Sequence, residues 1–333
     1  MAKVLHLFRV LKDELFHQTR LRNVATNGFH HLTSSLGGCV GLLGGGTIIN
    51  QGDDLFDSYV TVRRRTKSLV PVFGAGVGSP EFWSAKSGWK DRRKDWVAVL
   101  DELPIVGVRG PLSKNLLDDA GSRNVVVCGD PVVAYHSEYA KKLSIVHADR
   151  PLRVAINAGD CSGNLWGTMA GLQEVFTKLV DWLRARGHHS ELIPVWPNDV
   201  GPCVEVARRA GLDESAISPV LSSHIAFLRT IETFDIVVAL KLHAAILSAV
   251  ANVPCILLAY QPKTLDFAAS LQCEQLTVRT DEVTASKLID LLSFLIERLP
   301  AQKMELCAAM CKLAHSFEKY CRDIEPMLLG SAA

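Results

Sequence analysis

The longest apolar tract in the chain, residues 236 to 260, decides what kind of sheet this sequence can build. It is long enough to tempt a membrane-spanning assignment, but Lys241, His243 and Pro254 lie in its interior, and each is costly in lipid. Strand, helix, strand accounts for it better. Ile236 to Leu240 forms a strand, a helix begins near Leu242, Val253-Pro254 makes a turn, and Cys255 to Ala259 forms the next strand. Strands this apolar on both faces belong to a parallel sheet covered by helices on both sides.

The same grammar recurs along the chain. Apolar runs at Cys39 to Leu43, Leu69 to Phe73, Pro104 to Val108 and Asn124 to Val127 each end in a polar or glycine-rich cluster. A further strand is predicted over Val4 to Val10, followed by a polar helical stretch to about Asn27, and a helix over Pro111 to Ala120. After the polar segment His147 to Pro151 the pattern restarts at Leu152 to Asn157. A helix over Met169 to Arg186 follows, with Leu172, Val175, Phe176, Leu179, Val180 and Leu183 at helical spacing. Strands at Ser190 to Pro194 and Gln275 to Val278, and helices at Ser286 to Arg298 and Gln302 to Tyr320, complete the series. A chain of 333 residues exceeds the usual limit of one core. The expected fold is therefore α/β: two Rossmann-like parallel-sheet domains, residues 1–150 and 151–333, facing across a cleft.

Charge rules out one class of partner. The formal net charge is +1 and no long basic stripe exists, so nucleic acid is not expected as a ligand. The short runs Arg63 to Arg65 and Lys90 to Lys94 read as solvated helix faces. Nine cysteines, odd in number and unpaired in pattern, fit reduced thiols in a cytoplasmic protein. The N-terminus carries no apolar export core with a small-residue cleavage site. Cys307, Cys311 and His315 recur every four residues and share one helix face. Packing is the reading preferred for them, and no metal site is assigned.

The chemistry concentrates where strands end, because open α/β sheets bind ligands at the carboxyl edge. The strand at 236–240 delivers Lys241 and His243 there, and the next delivers Tyr260 and Lys263. Two cations beside one imidazole suit a small polyanion and proton transfer, with His243 as acid or base. Arg109 emerges after another strand, and its planar fork matches carboxylate or phosphate; a surface salt bridge is the alternative. Asp130, in Gly129-Asp130-Pro131, reads first as a turn former and second as a hydrogen-bond partner for a hydroxyl. Gly45, Gly46 and Gly76 stand in clusters after strands, where glycine serves either close ligand approach or tight turns. No dinucleotide fingerprint or phosphate loop accompanies them. Asp53-Asp54 reads as turn or helix capping rather than a metal motif.

In this order the motifs resemble the polysaccharide pyruvyl transferase family, from about Cys39 to Leu271. The most specific element is Lys241-Leu242-His243, Val253-Pro254, and Tyr260 to Phe267. The resemblance implies a GT-B-like architecture and transfer of pyruvate from phosphoenolpyruvate onto two hydroxyls of a sugar, forming a ketal and releasing phosphate. It also implies no cofactor beyond that donor, and an acceptor that is a sugar or a lipid-linked glycan. A lipid-linked acceptor would bring the protein to the inner face of the membrane as a peripheral partner. Carried over, Arg109, Lys241 and His243 fall at donor-binding and catalytic positions, and Leu242 offers a backbone contact. Two departures stand out: Lys241 replaces the family's usual arginine, and Asn27-Gly28 is the nearest match to its Asn-x-Gly-Asp element. A nucleotide-sugar glycosyltransferase and a non-catalytic sugar- or anion-binding relative are the alternatives.

Overall fold

The structure, a computed structural model, describes residues 29–33, 39–66, 69–139, 150–221 and 223–329. The strand expected over Val4 to Val10, the helix after it and Asn27-Gly28 lie outside those residues. The chain clusters into two compact units, one of Met1–Ala134 with Leu313–Ala333 and the other of Tyr135–Lys312. The division thus falls before residue 150, and the end of the chain joins the first unit.

The first unit runs β1 (Phe29–Thr33), β2 (Cys39–Gly44), β3 (Thr47–Ile49), α1 (Asp53–Thr66), β4 (Val72–Val77), α2 (Pro80–Trp83), α3 (Arg93–Leu100), β5 (Val106–Val108), α4 (Pro111–Asp118) and β6 (Val125–Val127). Its sheet has the order β1-β2-β4-β5-β6, with β3 alongside β4. Every pairing is parallel except β1 with β2. Only residues 34–38 separate that pair, too few for a crossover, so it must be antiparallel. Gly74 and Gly76 lie within the fully buried β4 rather than in a loop after it. Helices pack Trp96, Leu100 and Leu117 against Val72, Val106 and Val108.

The end of the chain belongs here for a specific reason. The Tyr320 hydroxyl donates to the carbonyl of Val72, and its ring occupies the space a side chain at Gly107 would need. A Cβ at Gly107 would lie 2.5 Å from that ring.

The second unit runs α5 (His136–Tyr139), β7 (Arg153–Asn157), α6 (Met169–Ala185), β8 (His189–Leu192), α7 (Val200–Ala210), α8 (His224–Ile231), β9 (Ile236–Ala239), α9 (Leu242–Val250), β10 (Cys255–Ala259), α10 (Pro262–Leu271), β11 (Thr277–Arg279), α11 (Ala285–Glu297) and the start of α12 (Leu299–Leu329). Its five strands are all parallel, in the order β11-β10-β9-β7-β8. The winding direction reverses between β7 and β9. In doubly wound sheets the crevice outside the strand ends at such a reversal is where ligands bind.

Helix starts follow sequence. Thr168, Ser223 and Thr284 each accept a hydrogen bond from the backbone amide three residues on, satisfying first-turn donors of α6, α8 and α11. The apolar stripe of α6 is buried as its spacing predicts, including Leu172, Phe176, Leu179 and Leu183. Each such side chain contributes roughly 1.5–3 kcal/mol through burial. Among the described residues, no helix is long and apolar enough to cross a membrane.

Candidate active site

At the reversal, Asn157 ends β7 and fastens three strands together. Its Oδ1 accepts the backbone amide of Lys241 at 2.9 Å, just beyond β9. Its Nδ2 donates to the carbonyl of Ile193 at 2.8 Å, just beyond β8. Lys241 then caps α9, and its side chain runs across Gly159. A Cβ at Gly159 would stand 2.4 Å from Lys241 Cγ and 2.9 Å from an Asp199 oxygen, so glycine is required there.

The Lys241 ammonium donates to the carbonyl of Asp160 and lies 3.7 Å from Asp199 Oδ1. Asp199 is fully buried and accepts the amides of Asp160 at 2.9 Å and of Val195 and Trp196 at 3.0 Å. This carboxylate therefore sets the loop after β7, the turn after β8 and the lysine in one arrangement. His243 is half-buried in the first turn of α9, with the Trp196 ring edge-on at 6.4 Å. Trp196 is 39% exposed, among the largest exposed apolar side chains described. The Leu242 side chain is buried, so only its backbone is placed to meet a ligand. The amino end of a helix favours an anion.

The turn after β10 closes the other side. Tyr260 is buried, and the Lys263 ammonium stands over its ring at 4.8 Å, a cation–π contact. The Tyr260 carbonyl accepts the amide of Trp166 at 3.1 Å, and Gln261 Nε2 donates to the Asn164 carbonyl at 2.6 Å. These bonds clasp the loop that follows β7. Within it, Ser162 and Gly163 both take left-handed φ values, 48° and 70°. The Ser162 amide and hydroxyl donate to the Asp160 carboxylate at 2.9 and 3.1 Å, which folds the loop back on itself. Burial pushes the Cys161 thiol up to about 12, and the positive charges of Lys241 and Lys263 oppose that rise. Both ammonium groups therefore act on the same small region.

In the first unit, Arg109 and Asp130 hold each other. They are 1% and 3% exposed, and Arg109 Nε donates to Asp130 Oδ2 at 3.2 Å. The guanidinium rests on Gly76, where a Cβ would lie 2.9 Å from Nη1 and 3.3 Å from the Thr47 hydroxyl. Gly76 thus makes room for Arg109. Asp130 also accepts the Val132 amide at 3.1 Å, the turn-forming role expected of aspartate before proline. Gly45 and Gly46 take φ values of 70° and 65°, and the Gly46 carbonyl accepts the Gly76 amide at 2.8 Å. Their glycine identity answers backbone conformation, since nothing lies within 4 Å of a Cβ at Gly45.

The sequence matches the polysaccharide pyruvyl transferase family over residues 8–262. The chain belongs to that family. Among proteins of curated function, none matches it. Solved structures with the same fold include a putative UDP-N-acetylglucosamine 2-epimerase from Listeria monocytogenes, at 11% identity and a TM-score of 0.55, covering 86% of this chain and 75% of that one. The UDP-GlcNAc 2-epimerase from Neisseria meningitidis bound to UDP-GlcNAc aligns at 12% identity and a TM-score of 0.52, with coverage of 86% and 75%. The trehalose 6-phosphate synthase from Burkholderia multivorans aligns at 14% identity and 0.51, with coverage of 87% and 71%. This pyruvyl transferase family member therefore carries two parallel-sheet α/β units of the GT-B type.

In the second unit, Asn157-Ala158-Gly159-Asp160 has the Asn-x-Gly-Asp order expected after the first strand, where Asn27-Gly28 lies outside the described residues. Asp199 and Trp196 were not among the expected site residues, because their spacing from Lys241 and His243 carries no periodicity.

Proposed function

We propose that the protein transfers pyruvate from phosphoenolpyruvate to two hydroxyls of a sugar or lipid-linked glycan, forming a ketal and releasing phosphate. The observation that carries this reading is the meeting of Lys241 with the loop Asn157–Asp160 at the reversal of the second sheet, with His243 in the first turn of α9 and Lys263 after the next strand end. Lys241 and Lys263 neutralise the donor's carboxylate and phosphate, aided by the amino end of α9. Arg109 is buried beside Asp130 in the first unit, and this reading assigns the direct donor contacts to the second unit.

His243 is the proposed general acid and base. A proton added to the methylene carbon makes the neighbouring carbon electrophilic, and one sugar hydroxyl attacks it while losing its proton. The carbon–oxygen bond to phosphate breaks, and a second hydroxyl closes the ketal and loses its own proton. Such proton transfer is worth about 10²–10⁴ in rate. The reading places the reaction in the cytoplasm, with peripheral contact at the membrane where the acceptor is lipid-linked.

The test is incubation with phosphoenolpyruvate and candidate acceptors, following phosphate release and a pyruvyl adduct by mass spectrometry. The wild type should form the adduct and His243→Ala should lose it by about 10²–10⁴. Turnover of nucleotide sugars in place of phosphoenolpyruvate would favour the glycosyltransferase alternative. Equal product from wild type and variant would remove His243 from the chemistry.

A further inference from the structure

A second cluster of reactive side chains lies at the other end of α9. Its last residue, Val250, offers its carbonyl to His136 Nδ1 at 3.3 Å. Seven steps of 1.5 Å separate Val250 from His243, about 10 Å along the helix. His136 is almost wholly buried. A ring nitrogen facing a carbonyl must carry the proton, which leaves Nε2 as a lone-pair donor. That nitrogen stands 3.6 Å from Cys311 Sγ. Cys307, one turn earlier on α12, completes the group, and all three ligand atoms lie within 4.8 Å of one another. His315, expected on the same face, is exposed and outside the trio; His136 takes the place sequence spacing gave to it.

We infer that His136, Cys307 and Cys311 form a binding site for a thiophilic metal ion of the zinc class. Two sulfurs and an imidazole exclude magnesium and calcium, which take oxygen ligands. Tetrahedral zinc, with bonds of about 2.3 Å to sulfur and 2.0–2.1 Å to nitrogen, needs sulfur–nitrogen separations near 3.5 Å. The Cys311–His136 spacing already meets that requirement. The Nδ1–carbonyl bond is the outer-shell contact that orients a metal-binding histidine. Cys311 is exposed and supplies the entry path, leaving the fourth position for water. The ion would fasten the short helix α5 to α12, away from the proposed reaction.

The test uses the full chain, reduced and stripped with chelator, and titrated first with cobalt(II) and then with zinc(II). One equivalent of cobalt should give a thiolate charge-transfer band with tetrahedral visible absorption, and zinc should abolish both. Cys307→Ser and Cys311→Ser should each weaken zinc binding by more than about tenfold, while His315→Ala leaves it unchanged. Folding of each variant is checked by circular dichroism. In the wild type, zinc should also protect Cys307 and Cys311 from alkylation, as read by peptide mass spectrometry, which requires no variant. A cobalt complex lacking the charge-transfer band, or alkylation of both cysteines at the same rate with and without zinc, overturns the proposal.

Discussion

The backbone amide of Lys241 donates to Oδ1 of Asn157 across 2.9 Å, so the lysine is positioned by a strand that precedes it by more than eighty residues. Asn157→Ala would leave the half-buried Lys241 amide and the buried Ile193 carbonyl without their partner. We expect a loss of about 1–3 kcal/mol for each group left unsatisfied, measured by urea denaturation. Asn157→Asp keeps the acceptor for Lys241 but sets a buried carboxylate oxygen against the Ile193 carbonyl, and should lose at least as much. An unchanged midpoint for the alanine variant would contradict this assignment.

Gly159→Ala places a methyl group against the stem of Lys241 and an oxygen of Asp199. The lysine must move while the sheet beneath stays intact. Under the proposed function, KM for phosphoenolpyruvate should rise severalfold and the melting temperature should fall little. A large loss of stability with unchanged KM would show that the lysine's path is unrelated to donor binding.

Arg109→Met leaves the Asp130 carboxylate buried without its cation, a defect that typically costs 3–5 kcal/mol. Gly76→Ala should destabilise in the same direction by displacing the guanidinium. Both effects should register in thermal denaturation of the uncomplexed protein. If Arg109→Met keeps wild-type stability and loses only donor affinity, the pair is a binding device instead of a structural one.

Trp196 presents an exposed ring beside His243, suited to an apolar sugar face. Trp196→Ala should weaken acceptor binding by about 0.5–1.5 kcal/mol, severalfold in acceptor KM. KM for the donor should hold. The reverse pattern would move Trp196 to the donor side.

Burial pushes the Cys161 thiol up to about 12, so at neutral pH it carries almost no thiolate. The thiolate is the reactive form, and its fraction grows only as pH climbs toward that value. Brief iodoacetamide treatment near pH 7.5 should therefore modify exposed Cys311 and spare Cys161. Comparable labelling of the two in folded protein would mean the loop after β7 opens readily.

Much of the architecture was legible because strand and helix periods are local. The strands at 255–259 and 236–239, the stripe of α6 and the delivery of Lys241 and His243 to a strand end all follow from neighbouring residues. The antiparallel β1 and the placement of Gly74 and Gly76 inside β4 departed from expectation, since apolar glycine runs look alike in strand and turn.

What the amino-acid order determined alone was the alternation of elements, the sheet edge that carries the chemistry, and a family signature resting on residue identity. Only the tertiary structure decided that Arg109 and Asp130 neutralise each other, that Asp199 and Gly159 set the path of Lys241, and that His136 rather than His315 meets the two cysteines. Those are contacts between residues far apart in the chain. They are fixed by strand order and packing, which no local spacing encodes.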